Sequence, residues 1–334
     1  APAVYATHLK DTEERKRSSS GGVFFAIAKW VITQGGIVYG AAFDENLKLS
    51  HMGVENLNDL DKLRGSKYLQ SAMSSTYQEI REQLKRGRWV YFVGTGCQVA
   101  GLKAFLRKEY ATLVTSDLVC HGVPSQKLFD QHIKYLGKNV NGKITSYNFR
   151  NNAIWGVSEI FTYKSDEIEK KCNNGHFALS PYLFQFMYAY SYRYSCYDCK
   201  FTQIPRQGDI TLADYWGVKD FFPQIDAKSG VSLVLVNNEQ GKNVWEEIKE
   251  GLVYHESCVE HGAKYNGNLI KKTKEPKIRK NIYETVESAG YEKAAKTIFR
   301  PKNYRMIRIK QMIYKTNIYK IARTILRKLY QYHI

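Results

Sequence analysis

Apolar and polar residues recur along this chain at two periods, near two and near 3.6, and the switches between them lay out the elements. Residues 4–8, VYATH, alternate as a short strand. After the polar KRSSSGG an apolar run continues at helical spacing to about Gln34. GGIVYGAAFD (35–44) reads as a turn into a strand, and the weaker alternation of KLSHMGVEN predicts its hairpin partner. NDLDKLRGSKYLQS mixes a short helix with a polar loop, and STYQEIREQLKRG (75–87) predicts a helix that stops at its glycine. WVYFVGTGC is a buried strand running into a tight turn, followed by the helix QVAGLKAFLRK, the strand LVTSDLVC and the helix SQKLFDQHIKYLG. Strand, helix, strand, helix from 89 to 137 is the order of a parallel α/β unit.

Beyond 143 the pattern changes. KITSYNFR and VSEIFTYKS predict paired strands, and an aromatic stretch from 177 to 195 leads into SCYDCKF. DITLADYWG and GVSLVLVN each hold a strand, and EQGKNVWEEIKEG predicts a helix before the strand LVYHES. The expected fold is α/β with an α+β second half: a mixed sheet with flanking helices, plus a C-terminal basic amphipathic helix. The expected units are an α/β half at 1–142, an α+β half with the cysteine pair at 143–265, and a basic helical tail at 266–334. In that tail Met306, Ile309, Ile313, Ile318, Ile321, Ile325 and Leu329 recur at helical spacing, with a break near Thr316 and Asn317.

Composition narrows the class. Hydrophobic residues make up 43% and charged residues 25% of the 334, which suits a folded globular protein and not a disordered one. The longest apolar run, VFFAIAKWVI, carries Lys29 and is half the length of about 20 residues that a membrane-spanning helix needs. The first residues lack a signal-peptide pattern, so a cytoplasmic location is expected. The net charge of +18 is unevenly placed: no acidic residue follows Glu292, whereas Lys and Arg recur to Lys328. The body is only mildly basic, which argues against a nucleic-acid binder. The tail suits an anionic membrane surface at the inner face of the membrane, and equally a helix packed on the body or on a partner subunit.

Six cysteines, in a long chain without a secretion signal, favour metal or redox chemistry over disulfides. Cys196 and Cys199 form a CxxC pair, whose spacing lets one turn of backbone aim both sulfurs at one point. Cys97 and Cys120 each follow a predicted strand, and neighbouring parallel strands end at the same sheet edge, where open α/β sheets bind ligands. Four thiolates suit an iron–sulfur cluster or structural zinc; Cys97 and Cys120 also suit buried small hydrophobes. SSSGG ahead of a helix offers a phosphate seat, or simply a cap. RGSKYLQS gathers polar side chains at a Gly65 turn, as a ligand grip or a solvated loop. His121 beside Cys120, and Asp209 and Asp214 around the DITLAD strand, read either as support for a site or as ordinary structural groups.

In order along the chain, SSSGGVFFAIA, RGSKYLQS, VGTGCQVAGLKAFL, SDLVCHGVPS, NFR, SCYDCKF and DITLADYWG resemble the beta-subunit family of coenzyme F-420 hydrogenase/dehydrogenase. That family also holds plant hydroxymethyl chlorophyll reductase and many bacterial proteins found with polysaccharide genes. The resemblance covers roughly 3 to 260. One departure is Gly96, where the family usually has proline. The resemblance implies an iron–sulfur flavoprotein oxidoreductase that relays electrons between a [4Fe–4S] cluster, FAD and a redox partner. It assigns Cys97, Cys120, Cys196 and Cys199 to the cluster. It assigns Ser19, Ser20, Gly21, Gly22, Arg64, Gly65, Ser66, Lys67, Tyr68, Gln70, Thr95, Asn148 and Arg150 to the flavin. The competing reading is a zinc-stapled binding or scaffold protein of the same fold. Relatives often carry a ferredoxin module just before this point, so a ferredoxin-like donor is expected, as an upstream domain or a separate protein. It would dock near the cysteines, where Lys200 and Arg206 could meet an acidic surface.

Overall fold

The computed structural model describes residues 1–150 and 155–315. Among them the strands are β1 (Ala3–Leu9), β2 (Ile37–Phe43), β3 (Leu49–Val54), β4 (Val90–Thr95), β5 (Leu113–Leu118), β6 (Lys143–Arg150), β7 (Val157–Ser165), β8 (Ile168–His176), β9 (Ile210–Asp214), β10 (Ser232–Val236) and β11 (Leu252–Ser257). The helices are α1 (Thr12–Lys16), α2 (Val23–Thr33), α3 (Thr76–Lys85), α4 (Gly96–Leu106), α5 (Gln126–Val140), α6 (Pro181–Met187), α7 (Tyr194–Tyr197), α8 (Glu239–Ile248), α9 (Val259–Tyr265), α10 (Arg279–Thr297) and α11 (Tyr304–Lys315).

Eight strands form one mixed sheet in the order β11-β1-β10-β9-β5-β4-β2-β3. Its centre, β2, β4, β5 and β9, is parallel; β3 closes one side and β10, β1 and β11 the other, all antiparallel to their neighbours. This is the mixed sheet with flanking helices that the periodicity predicts. Alternation along β2 shows why both faces are covered. Val38 joins Ile27 and Val31 of α2 and Val244 and Trp245 of α8 in one core. Ile37 and Tyr39 point the other way, into a core with Ile80 of α3 and Val99 and Leu102 of α4.

Of the elements after residue 143, β6, β7 and β8 make a separate antiparallel sheet, while β9, β10 and β11 complete the large one. The small sheet packs on α5 and α6 through Phe129, Phe149, Phe161 and Tyr182. Strand β8, IEKKCNNGH, has no alternation to read, because it is the mostly exposed edge of that sheet. The basic amphipathic helix begins as α11; Ile318, Ile321, Ile325 and Leu329, with the break expected at Thr316 and Asn317, lie outside the described residues.

Candidate functional site

Strands β4 and β5 run parallel in register to Thr95↔Leu118, so both chains leave the sheet side by side. Cys97 lies in the first turn of α4, immediately after β4, and Cys120 two residues beyond β5. The CxxC segment folds over these ends: Cys196 is in α7, and Cys199 follows it. Phe201 packs on Gly96 so closely that a methyl group there would come within 3.0 Å of its Cβ. The four thiols are near enough to act on one another electrostatically. Burial pushes Cys120 up to about 12, and Cys196, Cys97 and Cys199 add to that rise. None of the six cysteines is in a disulfide. Cys172 and Cys258 sit elsewhere, on β8 and at the start of α9.

Each of the four sulfurs has a hydrogen-bonding neighbour. The Gly122 N–H reaches Cys120 Sγ at 3.4 Å, and the Phe201 N–H reaches Cys199 Sγ at 3.5 Å. The Val123 backbone bonds to Cys196, whose thiol burial still holds above its usual range. Thr95 Oγ1 lies 3.1 Å from Cys97 Sγ. Among the described residues no group of three or more His, Cys, Asp or Glu side chains is placed to hold a metal ion.

Two buried groups hold this neighbourhood together: Arg206, expected on a docking surface, and Asp209, which the sequence offers as support for the site. Arg206 donates to the carbonyls of Phe201 (2.8 Å) and Leu118 (3.1 Å) and pairs with Asp117 at 2.7 Å, so it ties the CxxC segment to the end of β5. Arg206 is 7% exposed. Its expected place on a docking surface is therefore corrected: its charge is spent inside the protein, while Lys200 is exposed. Asp209 likewise joins strands, accepting from the Thr115 N–H and hydroxyl at 2.7 Å each.

A second network draws together four of the residues expected at the flavin. Ser19 Oγ accepts from the Ser66 N–H at 2.8 Å, and Ser19 O accepts from Arg150 at 2.9 Å. Arg150 also donates to the Tyr68 hydroxyl at 3.0 Å and to both oxygens of Asp214. Burial would lower its pKa, but Tyr68 and Asp214 outweigh that and raise it. Trp155 donates to Asp214 at 2.9 Å and stacks on Trp216, 4.8 Å between centroids.

The other expected flavin residues have separate attachments. Ser20 and Gly21 bond to Val231 and Ser232 at the start of β10. Gly22 starts α2 at φ 92, and a methyl group there would collide with Leu9 Cδ1. Arg64 pairs with Glu14 and Asp61 and lies over Phe25. Gly65 is exposed at φ 85, and Lys67 is bonded to three carbonyls. Gln70 and Thr95 lean toward the cysteines, Gln70 through Arg193 and the Pro124 carbonyl. Asn148 is exposed on β6 and takes no part in the Arg150 network.

The two groupings adjoin. Tyr68 and Cys196 pack against the same buried cluster of Phe186, Ala189, Tyr192 and Tyr197. His121, next to Cys120, is pushed down by burial and feels the charge of Asp214. A concavity of about 470 Å³ lies beside the CxxC, lined by Tyr194, Asp198, Lys272 and Lys274. Another of about 480 Å³, lined by Tyr39, Glu79 and Arg86, is on a different face. Within the Ser19–Arg150 network, one buried donor, Arg150 Nε, has no partner among the described residues.

The family model that describes the C terminus of the coenzyme F420 hydrogenase/dehydrogenase beta subunit matches residues 87–261. No curated protein matches the sequence significantly. Among solved structures, a chain of the F420-reducing [NiFe] hydrogenase complex from Methanosarcina barkeri shares the fold. The TM-score is 0.52 at 16% identity, over 85% of this chain and 92% of that one.

Proposed function

The chain belongs to the family of coenzyme F420 hydrogenase/dehydrogenase beta subunits, and from that premise we propose that it is an iron–sulfur flavoprotein oxidoreductase. Cys97, Cys120, Cys196 and Cys199 hold a [4Fe–4S] cluster, and FAD sits beside it against Ser19, Ser66, Tyr68 and Arg150. The observation that carries this reading is the meeting of four thiols at one sheet edge, with backbone bonds to three of them. Such hydrogen bonds favour the thiolate and tune a cluster's potential.

Bound here, FAD would supply two-electron chemistry and the cluster a one-electron relay. The protein's own part is to hold and to exclude. Arg206 and Asp117 fix the two cysteine loops. The aromatic cluster of Phe186, Tyr192 and Tyr197 keeps water from the space between the thiols and Tyr68. The first turn of α2 has no side-chain cap, which leaves its N–H groups for a pyrophosphate. Arg150 would hold the flavin through its unpartnered Nε, while Asp214 keeps the rest of the guanidinium in place. The donor is a ferredoxin-like protein or domain, and the setting is polysaccharide biosynthesis.

Anaerobically purified protein tests this. Flavin bands with a broad shoulder near roughly 400 nm and about four iron atoms per chain are expected. Cys97→Ser and Cys196→Ser should each lose most of the iron. Wild-type iron content in both variants, or a colourless zinc protein, would overturn the cluster assignment.

A further inference from the structure

Helix α11 rests on the body along one side only. Tyr304, Ile307 and Gln311 are half-buried, and Gln311 packs against Gly175 at the end of β8. At 3.6 residues per turn, Met306, Ile309 and Met312 fall on the opposite side. They are 49%, 52% and 53% exposed, a row of large apolar side chains on one short helix. Single exposed apolar residues are ordinary; a row along one helix face marks a contact surface. Arg308 and Lys310 border the row on its two edges, and Arg305 stands within it; all three are exposed.

We propose that this face of α11 lies on an anionic membrane surface, with Met306, Ile309 and Met312 in the interface and the flanking arginines and lysine among the headgroups. Three observations choose this occupant over a partner helix. The stripe points away from the body. Basic residues flank it on both edges, the arrangement of interfacial helices. No acidic residue follows Glu292, so the last stretch, with basic residues from Lys293 to Lys328, presents one sign of charge. No described helix is long and apolar enough to cross a membrane. The inference is independent of the redox reading.

Sedimentation of the full chain with vesicles decides it. Phosphatidylglycerol-containing vesicles should pellet the protein at low salt, and pure phosphatidylcholine vesicles should not. Ile309→Asp/Met312→Asp should cut the pelleted fraction about tenfold, since charge is placed where apolar area would be buried. Arg305→Gln/Arg308→Gln should weaken binding and reduce its salt dependence. Because all four positions are exposed, circular dichroism melts should match wild type. The proposal fails if wild type stays in the supernatant with anionic vesicles, or if the Asp variant pellets equally. It also fails if lipid-free centrifugation shows a dimer that the Asp variant dissociates, since a second copy would then cover the face.

Discussion

Lys67 turns its ammonium back onto the carbonyls of Lys62, Leu63 and Arg64, at 3.3, 2.9 and 2.7 Å. Part of the residue stays exposed, but the charged end is wrapped, and burial pushes its pKa down to about 7. The carbonyls favour the charged form and oppose that shift. The folded state then holds fewer protons here than the unfolded chain from about pH 7 up to the ordinary lysine range. Stability therefore rises with pH across that window, and Lys67→Met should abolish this part of the rise. A pH titration of the lysine ε-carbon by NMR is the check; a midpoint at the ordinary value of 10.5 would mean the carbonyls win. Nothing in SKYLQ announces this environment. The cysteines were legible because strand ends can be read from period and turn residues. The buried pairs Asp117–Arg206 and His132–Glu159 (2.7 Å each) were not, because each joins segments remote in sequence.

At the scale of elements, the strands that frame the cysteines follow from short buried runs that end at turn residues, whereas α10 follows from no pattern. Its positions mix apolar and polar residues, and it is bent at Gly290, φ 79, so no single face persists along it. Yet its second half belongs to a core: Tyr291, Ala294, Ala295 and Phe299 are buried with Leu128 of α5 and Ile282. Tyr291 also reaches His132 Nδ1 at 3.0 Å, beside the Glu159 carboxylate that Ser180 and Tyr147 share. The tail read as a separate basic helix thus begins inside the body. A chain ended after Glu292 loses Phe299 and two alanines from that core and should be less stable by about 3 kcal/mol or more. A chain ended after Lys302 keeps them and should melt like the full chain. Urea unfolding of the two would separate these outcomes, and equal midpoints would show that Ala294, Ala295 and Phe299 contribute no packing. Gly22 makes the same point about testing. Replacing it with Glu would strain a left-handed residue against Leu9, so loss of flavin there would report on folding.

Across the whole molecule, the chain beyond the last motif returns to the cysteine edge. The Thr273 hydroxyl donates to the His121 carbonyl at 2.6 Å, Lys272 pairs with Asp198 inside the CxxC, and Arg279 donates to the Tyr192 carbonyl at 3.1 and 3.0 Å. No motif predicted this return, since the loop carries neither periodicity nor cysteines, and only tertiary contacts place it. Its effect is on the surface field. Lys271, Lys272, Lys274 and Lys277 are all exposed, with Glu275 the one acid among them. Lys272 and Lys274 line the concavity beside Tyr194 and Asp198, and Lys200 is exposed just past Cys199. Under the proposed function, this loop is the positive surface offered to an acidic electron donor, since Arg206 is buried. Charge of this kind acts mainly on encounter rate, and salt screens it over about 10 Å at 0.1 M. Lys271→Glu/Lys274→Glu should therefore slow flavin reduction by a reduced acidic ferredoxin about tenfold or more at low ionic strength, with the gap closing as salt is added. Reduction by dithionite, a small reductant, should be unchanged, which separates docking from damage to the cofactors. Stopped-flow absorbance measures both. An unchanged ferredoxin rate would move the entry point to another face, and fast reduction by NADH or NADPH alone would remove the need for such a donor.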